Sequence, residues 1–388
     1  MRKLYAMIII AATSFSGYAQ DSLVTKEEDN AKKFNFSGYI DSYYFSNLNN
    51  PASRNNLGES GTARAFDQRS GTIGIGLVQA KMTYAPSESS DVVVDLTFGP
   101  NADLGNYGNA VGPLGTGTTA LAIKQAYFNW RPLKKLTLTA GQFGTHIGYE
   151  VIDAPVNYNY SLSNLFNNGP FYHIGVKANY AFSDKVSLMA GVVNNIDALY
   201  DNNRSKGVIG QLFINPVKGW NIYINGIGSN EASADSTGKN PDGEYYLGDL
   251  TTTFQVTEKL LFGLNAAYGS QRGDYQGAGG PTETKTWGGA ALYTNFAFSS
   301  KFSLGARYEV FDNSSGARAL VKAQTTGEGI VMNSATLTAT ITTANDHLLI
   351  KPEVRMDMAN KEFFNGETAG LYNQTSQTTV GLALIYKY

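Results

Sequence analysis

The 388-residue chain contains no cysteine. This absence excludes disulfide frameworks, thiolate metal sites and cysteine nucleophiles together. Histidine is scarce as well: His146, His173 and His347 are the three in the chain, and none stands in a pattern typical of catalysis. We therefore expect no enzymatic activity, no metal site and no cofactor, and we interpret the histidines as satisfied or solvated side chains.

Charged residues are also few. They make up 16% of the chain, against about 25% in an ordinary soluble domain. The net charge of −2 creates no broad field that would attract nucleic acid, so nucleic acid is not an expected partner. Glycine (42), tyrosine (24) and phenylalanine (20) are abundant instead.

Long apolar runs are missing beyond the N-terminus. Arg2 and Lys3 precede a short apolar stretch, and the small residues Gly17 and Ala19 fit a cleavage site, so we expect a signal peptide over residues 1–19. No later stretch reaches the roughly 20 apolar residues that a membrane-spanning helix requires. Residues 20–33 lack periodicity and are expected to form a flexible periplasmic lead-in.

From Phe34 onward, apolar residues alternate with polar ones. Two clear examples are residues 172–182, YHIGVKANYAF, and residues 302–310, FSLGARYEV. A period of two predicts β-strands that have one apolar and one polar face.

The connections between these strands alternate between short and long. Counting strands between them predicts about sixteen, which begin near Phe34 and end at Tyr388. Short turns at one end and long loops at the other are typical of outer-membrane barrels. The long connections lie near 47–71, 99–119, 145–169, 196–206, 229–244, 271–284, 313–330 and 359–372.

A soluble β-sandwich is the alternative, but its turns are of mixed length at both ends. Aromatic residues also favour the barrel, because several occupy the short-turn ends of strands, where a membrane girdle belongs, and Trp287 lies near the opposite rim. The girdle residues are Tyr84, Trp130, Phe182, Trp220 and Phe298. We predict an all-β fold: a closed antiparallel transmembrane barrel over residues 34–388 in the cell outer membrane, with short periplasmic turns and long extracellular loops.

The inward face of the predicted barrel is polar. A dry core would not tolerate so many polar groups, whereas a sixteen-stranded barrel is wide enough to hold a water-filled channel. Pro352 interrupts one strand pattern, and because proline cannot donate to the ladder, we expect a local bulge there. The predicted inward residues are Lys81, Asp95, Gln125, Asn129, Lys177, Asn179, Gln211, Asn221, Asn225, Arg307, Glu309, Lys351, Glu353, Arg355 and Asp357.

Several sequence blocks carry a family resemblance. The run AGQFGTHIGYEVIDAPVNYNYS (140–161), followed by PFYHIGV and GVVNNID, and the strands GARYEVFD (305–312) and IKPEVRMD (350–357) resemble the OmpL-like family of β-barrel porins of Gram-negative outer membranes. The resemblance covers nearly the whole chain after the signal peptide. It implies a porin that lets small hydrophilic solutes diffuse passively. Where the family pattern has an arginine after Tyr-Ser, this chain has Leu162.

The resemblance also assigns roles to two segments. The loop at 145–169, about 25 residues long and thus unusual in a compact domain, is the third long loop and is expected to fold inward and narrow the channel. The last strand, residues 380–388, is similar to the C-terminal signal that the barrel assembly machinery recognises, although it ends in Tyr388 rather than the commoner phenylalanine.

Charged residues near this loop form the candidate constriction. Glu150 and Asp153 on the loop would face basic residues of the wall and set a transverse field, a usual origin of charge selectivity. The alternative is that these charges pair with one another, or with Glu309, Glu353 and Asp357, and stiffen the barrel. The basic candidates are Lys177, Arg307, Lys351 and Arg355.

Two other functions fit the same sequence. One is a substrate-specific channel for sugars or oligosaccharides, in which inward Tyr127 and Tyr223 provide stacking surfaces. The other is an outer-surface binding or adhesion barrel with a closed lumen, in which long loops such as 229–244 contact partners. Outer-membrane lipid is an expected partner in every case.

Overall fold

A computed structural model describes residues 33–56, 64, 66–104, 122–199, 201, 203–232, 242–273, 280–323 and 326–388 of the chain. The expected signal peptide and nearly all of the expected lead-in lie outside the described residues. Lys33, which the sequence placed in the lead-in, is the first residue of the first strand.

Sixteen strands make up almost all of the regular structure, in agreement with the predicted number. Their bounds are β1 (Lys33–Asn47), β2 (Thr72–Ser87), β3 (Ser90–Phe98), β4 (Ala122–Leu133), β5 (Leu136–Gly144), β6 (Tyr172–Ser183), β7 (Val186–Ile196), β8 (Gly207–Ile214), β9 (Trp220–Asn230), β10 (Glu244–Gln255), β11 (Leu260–Gly273), β12 (Gly280–Ser299), β13 (Phe302–Asp312), β14 (Val331–Thr343), β15 (Leu348–Ala359) and β16 (Ser376–Lys387).

In the part of the chain that the structure describes, helical structure consists of three short pieces. These are α1 (Pro100–Leu104), α2 (Asn164–Asn168) and a 3-10 turn (Ala319–Val321). Within the described ranges, no helix is long and apolar enough to cross a bilayer.

The strands form one closed antiparallel barrel. Each strand pairs with its neighbours in sequence, and β1 closes the ring against β16. The backbone of Tyr388 continues this closure, since its N–H and C=O both bond to Gly38 at 3.0 Å. Closure leaves no strand edge unpaired, which is the condition for a β-sheet to span a membrane. The predicted fold class is confirmed.

Alternating side chains divide between the two faces of the sheet as predicted. In β16 the outward set is well exposed, whereas Ala383 and Ile385 between its members are fully buried. The five expected girdle residues are all exposed on the outer surface, but Trp287 is 2% exposed and points inward, where it packs on Phe311 and under the guanidinium of Arg318. An outward position for Trp287 on the second rim was therefore wrong. The outward set is Val380, Leu382, Leu384 and Tyr386 of β16, followed by Tyr388 just beyond the strand.

The predicted bulge at Pro352 was also wrong. The ladder between β14 and β15 skips two pairs beside the proline and then resumes with an unchanged register, while Pro352 pairs in register with Leu382 on β16. The missing N–H therefore interrupts one ladder locally without an inserted residue. Bulges occur elsewhere, and two of them affect the interior: one at Asp41 in the β1–β2 ladder and one at Lys124 in the β3–β4 ladder.

Candidate functional site

The segment between β5 and β6, residues 145–171, is here named the β5–β6 loop. Loops normally lie on the surface, because buried backbone groups need partners, yet residues 159–165 of this loop are all buried. Its partners lie on strands around most of the barrel circumference, and most of them are inward-facing side chains. The contacted strands are β8, β9, β10, β12, β13, β14, β15, β1, β2 and β4.

Glu353 on β15 binds the backbone of the loop near its middle. Its carboxylate accepts from the amide of Tyr160 at 2.7 Å and from the amide of Ser161 at 3.1 Å. The hydroxyl of Thr338 also donates to it, at 2.7 Å. A carboxylate that accepts several hydrogen bonds compensates for its own burial and for that of the two amides.

Glu309 on β13 binds the start of α2 in the same way. The backbone amides of Asn164 and Leu165 donate to its carboxylate at 2.8 and 2.7 Å. The first amides of a helix lack intrahelical partners. The hydroxyl of the N-cap residue Ser163 accepts a hydrogen bond from the amide of Phe166 at 3.0 Å. The carboxylate of Glu309 therefore accepts from amides at the start of this short helix that the N-cap residue leaves without a partner.

Basic side chains on β13 and β15 bind the carbonyl groups of the loop. Arg307 donates to the carbonyl of Ser161 at 2.7 Å, and Arg355 donates to that of Leu162 at the same distance. Lys351 donates to two loop carbonyls, those of residues 154 and 157. The acidic side chains of these strands therefore accept from the amides of the buried loop, and the basic side chains donate to its carbonyl groups. Both kinds of backbone group have hydrogen-bond partners.

The strand register explains this arrangement. The inward residues of β13, β14 and β15 align in rows across the three strands. A basic row lies between two acidic ones because inward residues are two apart along each strand. The rows are Gly305–Thr338–Glu353, Arg307–Thr336–Arg355 and Glu309–Ser334–Asp357. We name the inward face of these three strands the charged wall.

Two ion pairs join acidic loop residues to the barrel. Glu150 contacts Arg307 at 2.5 Å, with side chains 3% and 0% exposed, and also accepts from the amide of Ser163 at 2.7 Å. Asp153 contacts Lys124 on β4 at 2.5 Å. Buried pairs gain little over apolar packing, but losing one partner is strongly destabilising.

The six predicted constriction residues therefore have different surroundings. The structure brings Glu150 and Arg307 together, and places Lys351 and Arg355 on loop carbonyls, with Arg355 also bonded to Asp357 at 2.7 Å. Asp153 pairs with Lys124 and not with the predicted basic residues. Lys177 lies 4.5 Å above the ring of Phe143.

Sequence reasoning missed Lys124 and Asp41. Strict alternation from the exposed Phe128 puts Lys124 on the lipid side, but Lys124 is the extra residue of the bulge between the pairs Asp95–Gln125 and Leu96–Ile123, which turns it inward. The carboxylate of Asp41 accepts the hydroxyl of Tyr160 at 2.9 Å. Asp41 alternates with its neighbours in the same way as the inward-facing Tyr39 and Tyr43. Its inward position could therefore have been predicted from the sequence.

Two histidines lie at the two ends of the β5–β6 loop. The rings of His146 and His173 are 5.8 Å apart. His146 Nε2 is 3.1 Å from the carbonyl of Gly226, and His173 Nε2 is 3.1 Å from the hydroxyl of Thr145. Burial lowers the pKa of His146 to about 4, so that its ring is neutral at neutral pH.

Comparison with known proteins places the chain in a family. The family described as "Putative beta-barrel porin-2, OmpL-like" matches residues 33–388, which is the whole barrel. The chain belongs to this family. It is a porin of the outer membrane, as the sequence resemblance implied. No curated protein sequence matches it.

Solved structures with the same fold include several outer-membrane channels. The channel DcaP of Acinetobacter baumannii has 12% identity and a TM-score of 0.59, covering 94% of the porin and 100% of DcaP. OmpT of Vibrio cholerae, in a trimer form, has 12% identity and a TM-score of 0.58, with 92% and 100% covered. An anion-selective porin from Comamonas acidovorans has 9% identity, a TM-score of 0.58 and the same coverage. At these identities the similarity establishes the shared barrel fold.

Proposed function

We propose that the porin conducts small hydrophilic solutes by passive diffusion and that the β5–β6 loop forms the narrowest part of the path. One observation carries this proposal: the loop is bound to inward-facing groups around most of the circumference. A barrel of sixteen strands is wide enough for an aqueous channel. A chain segment fixed across that channel reduces its cross-section.

Replacing the loop tests this proposal. Gly144 and Tyr172 are a paired position of the β5–β6 ladder, so residues 146–170 can be replaced by a four-residue Gly-Ser linker without moving either strand. We expect the single-channel conductance in KCl to rise several-fold. Deleting the exposed residues 367–370 from another loop is the control and leaves conductance unchanged. An unchanged conductance in the linker variant would contradict the proposal.

We propose in addition that Glu150, Asp153, Lys177, Arg307, Lys351 and Arg355 belong to the constriction. The ion pairs and carbonyl contacts of the loop support a holding role for most of these charges, and paired opposite charges largely cancel one another's field on a passing ion. Ion selectivity of the native channel is therefore expected to be weak.

Neutralising the two acidic residues tests the assignment. The variant Glu150→Gln with Asp153→Asn removes the loop carboxylate from Arg307 and leaves Lys124 with Asp95 alone, at 3.3 Å, so reversal potentials in a KCl gradient should shift toward anion selectivity. A variant that keeps the native selectivity and the native conductance would place these residues outside the permeation path.

The last strand has a separate proposed role in assembly. We propose that residues 380–388 are recognised by the barrel assembly machinery, supported by their exposed apolar face and by the closing contacts of Tyr388 with Gly38. In cells, Tyr388→Ala should reduce the amount of assembled barrel, whereas Tyr388→Phe should not. Equal assembly of the two variants would contradict this role.

A further inference from the structure

We infer that the lumen contains a binding site for neutral carbohydrate on the short-turn side of the β5–β6 loop; this rests on the open pore proposed above. The site is a cavity of about 100 Å³, large enough for several ordered waters. It lies between the loop and the inward faces of β8, β9, β10 and β12. The lining groups on which the inference depends are Tyr149, Tyr223, Tyr293, Asn157, Asn159 and Asn221.

The aromatic rings of the cavity are held in place. Tyr149 stacks on Tyr293 with ring centroids 4.2 Å apart and planes at 15°. Tyr223 contacts Phe213, its ladder partner on β8, at 4.9 Å between centroids. Tyrosines are rigid and present both an apolar face and a hydroxyl. The apolar face of a pyranose ring and its hydroxyl edge match these two features.

A buried asparagine beside the cavity fixes the loop that forms one side of it. Asn159 is 1% exposed, and its side-chain amide donates to the carbonyl of Gly305 at 3.3 Å and to Thr338 at 2.8 Å. Its Oδ1 atom has no hydrogen-bond partner among the described residues. Because Oδ1 exposes no surface to the cavity, Asn159 serves to fix the loop to β13 and β14, and the polar groups left for a ligand are the partly exposed Asn157, Asn221 and Tyr223.

The charge of the cavity favours a neutral ligand. Its one carboxylate, Glu150, is already bound to Arg307 and to the amide of Ser163. His146 is neutral at neutral pH because burial lowers its pKa to about 4. An amino acid or an organic acid would lose its hydration without meeting a free opposite charge, whereas a sugar has no charge to compensate.

The position of the cavity places it on the diffusion path. Asn221 is the second residue of β9, and Thr253 of the lining lies two residues before the end of β10, so both are close to the short-turn rim. Short turns of outer-membrane barrels face the periplasm. A solute that has passed the loop therefore meets this site before it leaves the barrel.

The test is current block by glucose in planar bilayers, with the purified full-length porin in KCl. We expect glucose to reduce the mean current saturably in the native channel, and Tyr223→Ala to raise the half-blocking concentration about tenfold, the loss of about 1.4 kcal/mol. Tyr223→Phe keeps the ring and loses only the hydroxyl, so it should raise the half-blocking concentration less than Tyr223→Ala does. Tyr268→Ala, on the outer face of β11 and outside the cavity, is the control and should leave the block unchanged. Each variant's KCl current in the absence of glucose shows that it is folded.

The possible failures are distinguishable. A native channel that conducts KCl without saturable block by glucose would overturn the carbohydrate site and leave the proposed pore intact. A block that Tyr223→Ala does not weaken, or that alanine as a zwitterionic probe reproduces at the same concentration, would also overturn the site. A native protein that conducts no KCl would overturn the pore and the site together.

Discussion

The charged wall of β13–β15 differs sharply from the inward face of β7–β10, which we name the neutral wall. The charged wall carries two arginines, a lysine and three acidic residues, all almost fully buried. The neutral wall carries mostly apolar and amide side chains, with Asp249 as its one charged inward residue within the described parts of those strands. Its inward residues include Met189, Ile209, Gln211, Tyr223, Asn225, Leu247 and Thr251.

The difference shows that a charged side chain of this barrel can point inward without being exposed to water. Buried charges need partners at contact distance, and the backbone and acidic side chains of the β5–β6 loop provide them. The neutral wall makes fewer bonds to the loop, and part of it borders the cavity. The charged wall therefore holds the loop, and the neutral wall borders the cavity that we propose as the solute site.

The largest expected effect comes from breaking a pair on the charged wall. Arg307→Met leaves Glu150 buried without its cation, which should lower the free energy of unfolding by about 4 kcal/mol. Urea unfolding in detergent micelles measures the loss. The double variant Arg307→Met with Glu150→Gln removes both charges and should recover part of it. A single variant as stable as the native protein would show that the pair does not hold the loop.

An intermediate effect is expected at the end of the loop, where His146 meets the neutral wall. Its pKa is lowered from 6.5 to about 4 by burial, so a released loop binds a proton that the bound loop does not. The bound state should therefore lose stability as pH falls from 6.5 to 4, by up to about 3 kcal/mol. Lys177 adds to the effect, since its positive charge opposes one on His146.

Current recordings at pH 7 and pH 4.5 measure this loss as more frequent conductance fluctuations at the lower pH. His146→Gln keeps a donor for the carbonyl of Gly226 but does not titrate, and it should show a weaker pH dependence. Equal pH dependence in the two proteins would assign the fluctuations to another group.

The smallest effect is expected on the neutral wall itself. Asn225 accepts from Gln211 at 2.8 Å and donates to Asp249 at 2.7 Å. Because Asp249 keeps bonds from the amide of Gly148 and from Asn265, Asn225→Ala should cost only about 1 kcal/mol in urea unfolding. A loss as large as that of Arg307→Met would remove the distinction between the two walls.

The fold was predictable from sequence because one physical rule governs it. Each strand must turn an apolar face to lipid, so a period of two runs through the chain and the short turns mark the hairpins. The same rule located the long loop and most inward charges. It fails where the period itself breaks, as at the bulge that turns Lys124 inward.

The partners of the charges were not predictable in the same way. Glu353 and Glu309 bind backbone amides of a segment almost 200 and 150 residues away in sequence, and backbone amides carry no residue-specific signal. Trp287 shows a second limit: its place near the loop end was correct, but an aromatic residue there fits a buried cluster as well as a girdle. At Pro352 the ladder interruption left the register unchanged, which no local pattern indicates.

Hydrogen exchange of the native porin in detergent tests the central claim most directly, because it needs no substitution. If the charged wall binds the loop backbone, the amides of Tyr160, Ser161 and Leu165 should exchange as slowly as those of the neighbouring strands. The exposed residues 367–370 provide the fast reference. Exchange of the three loop amides at the rate of that reference would contradict a loop held on the charged wall.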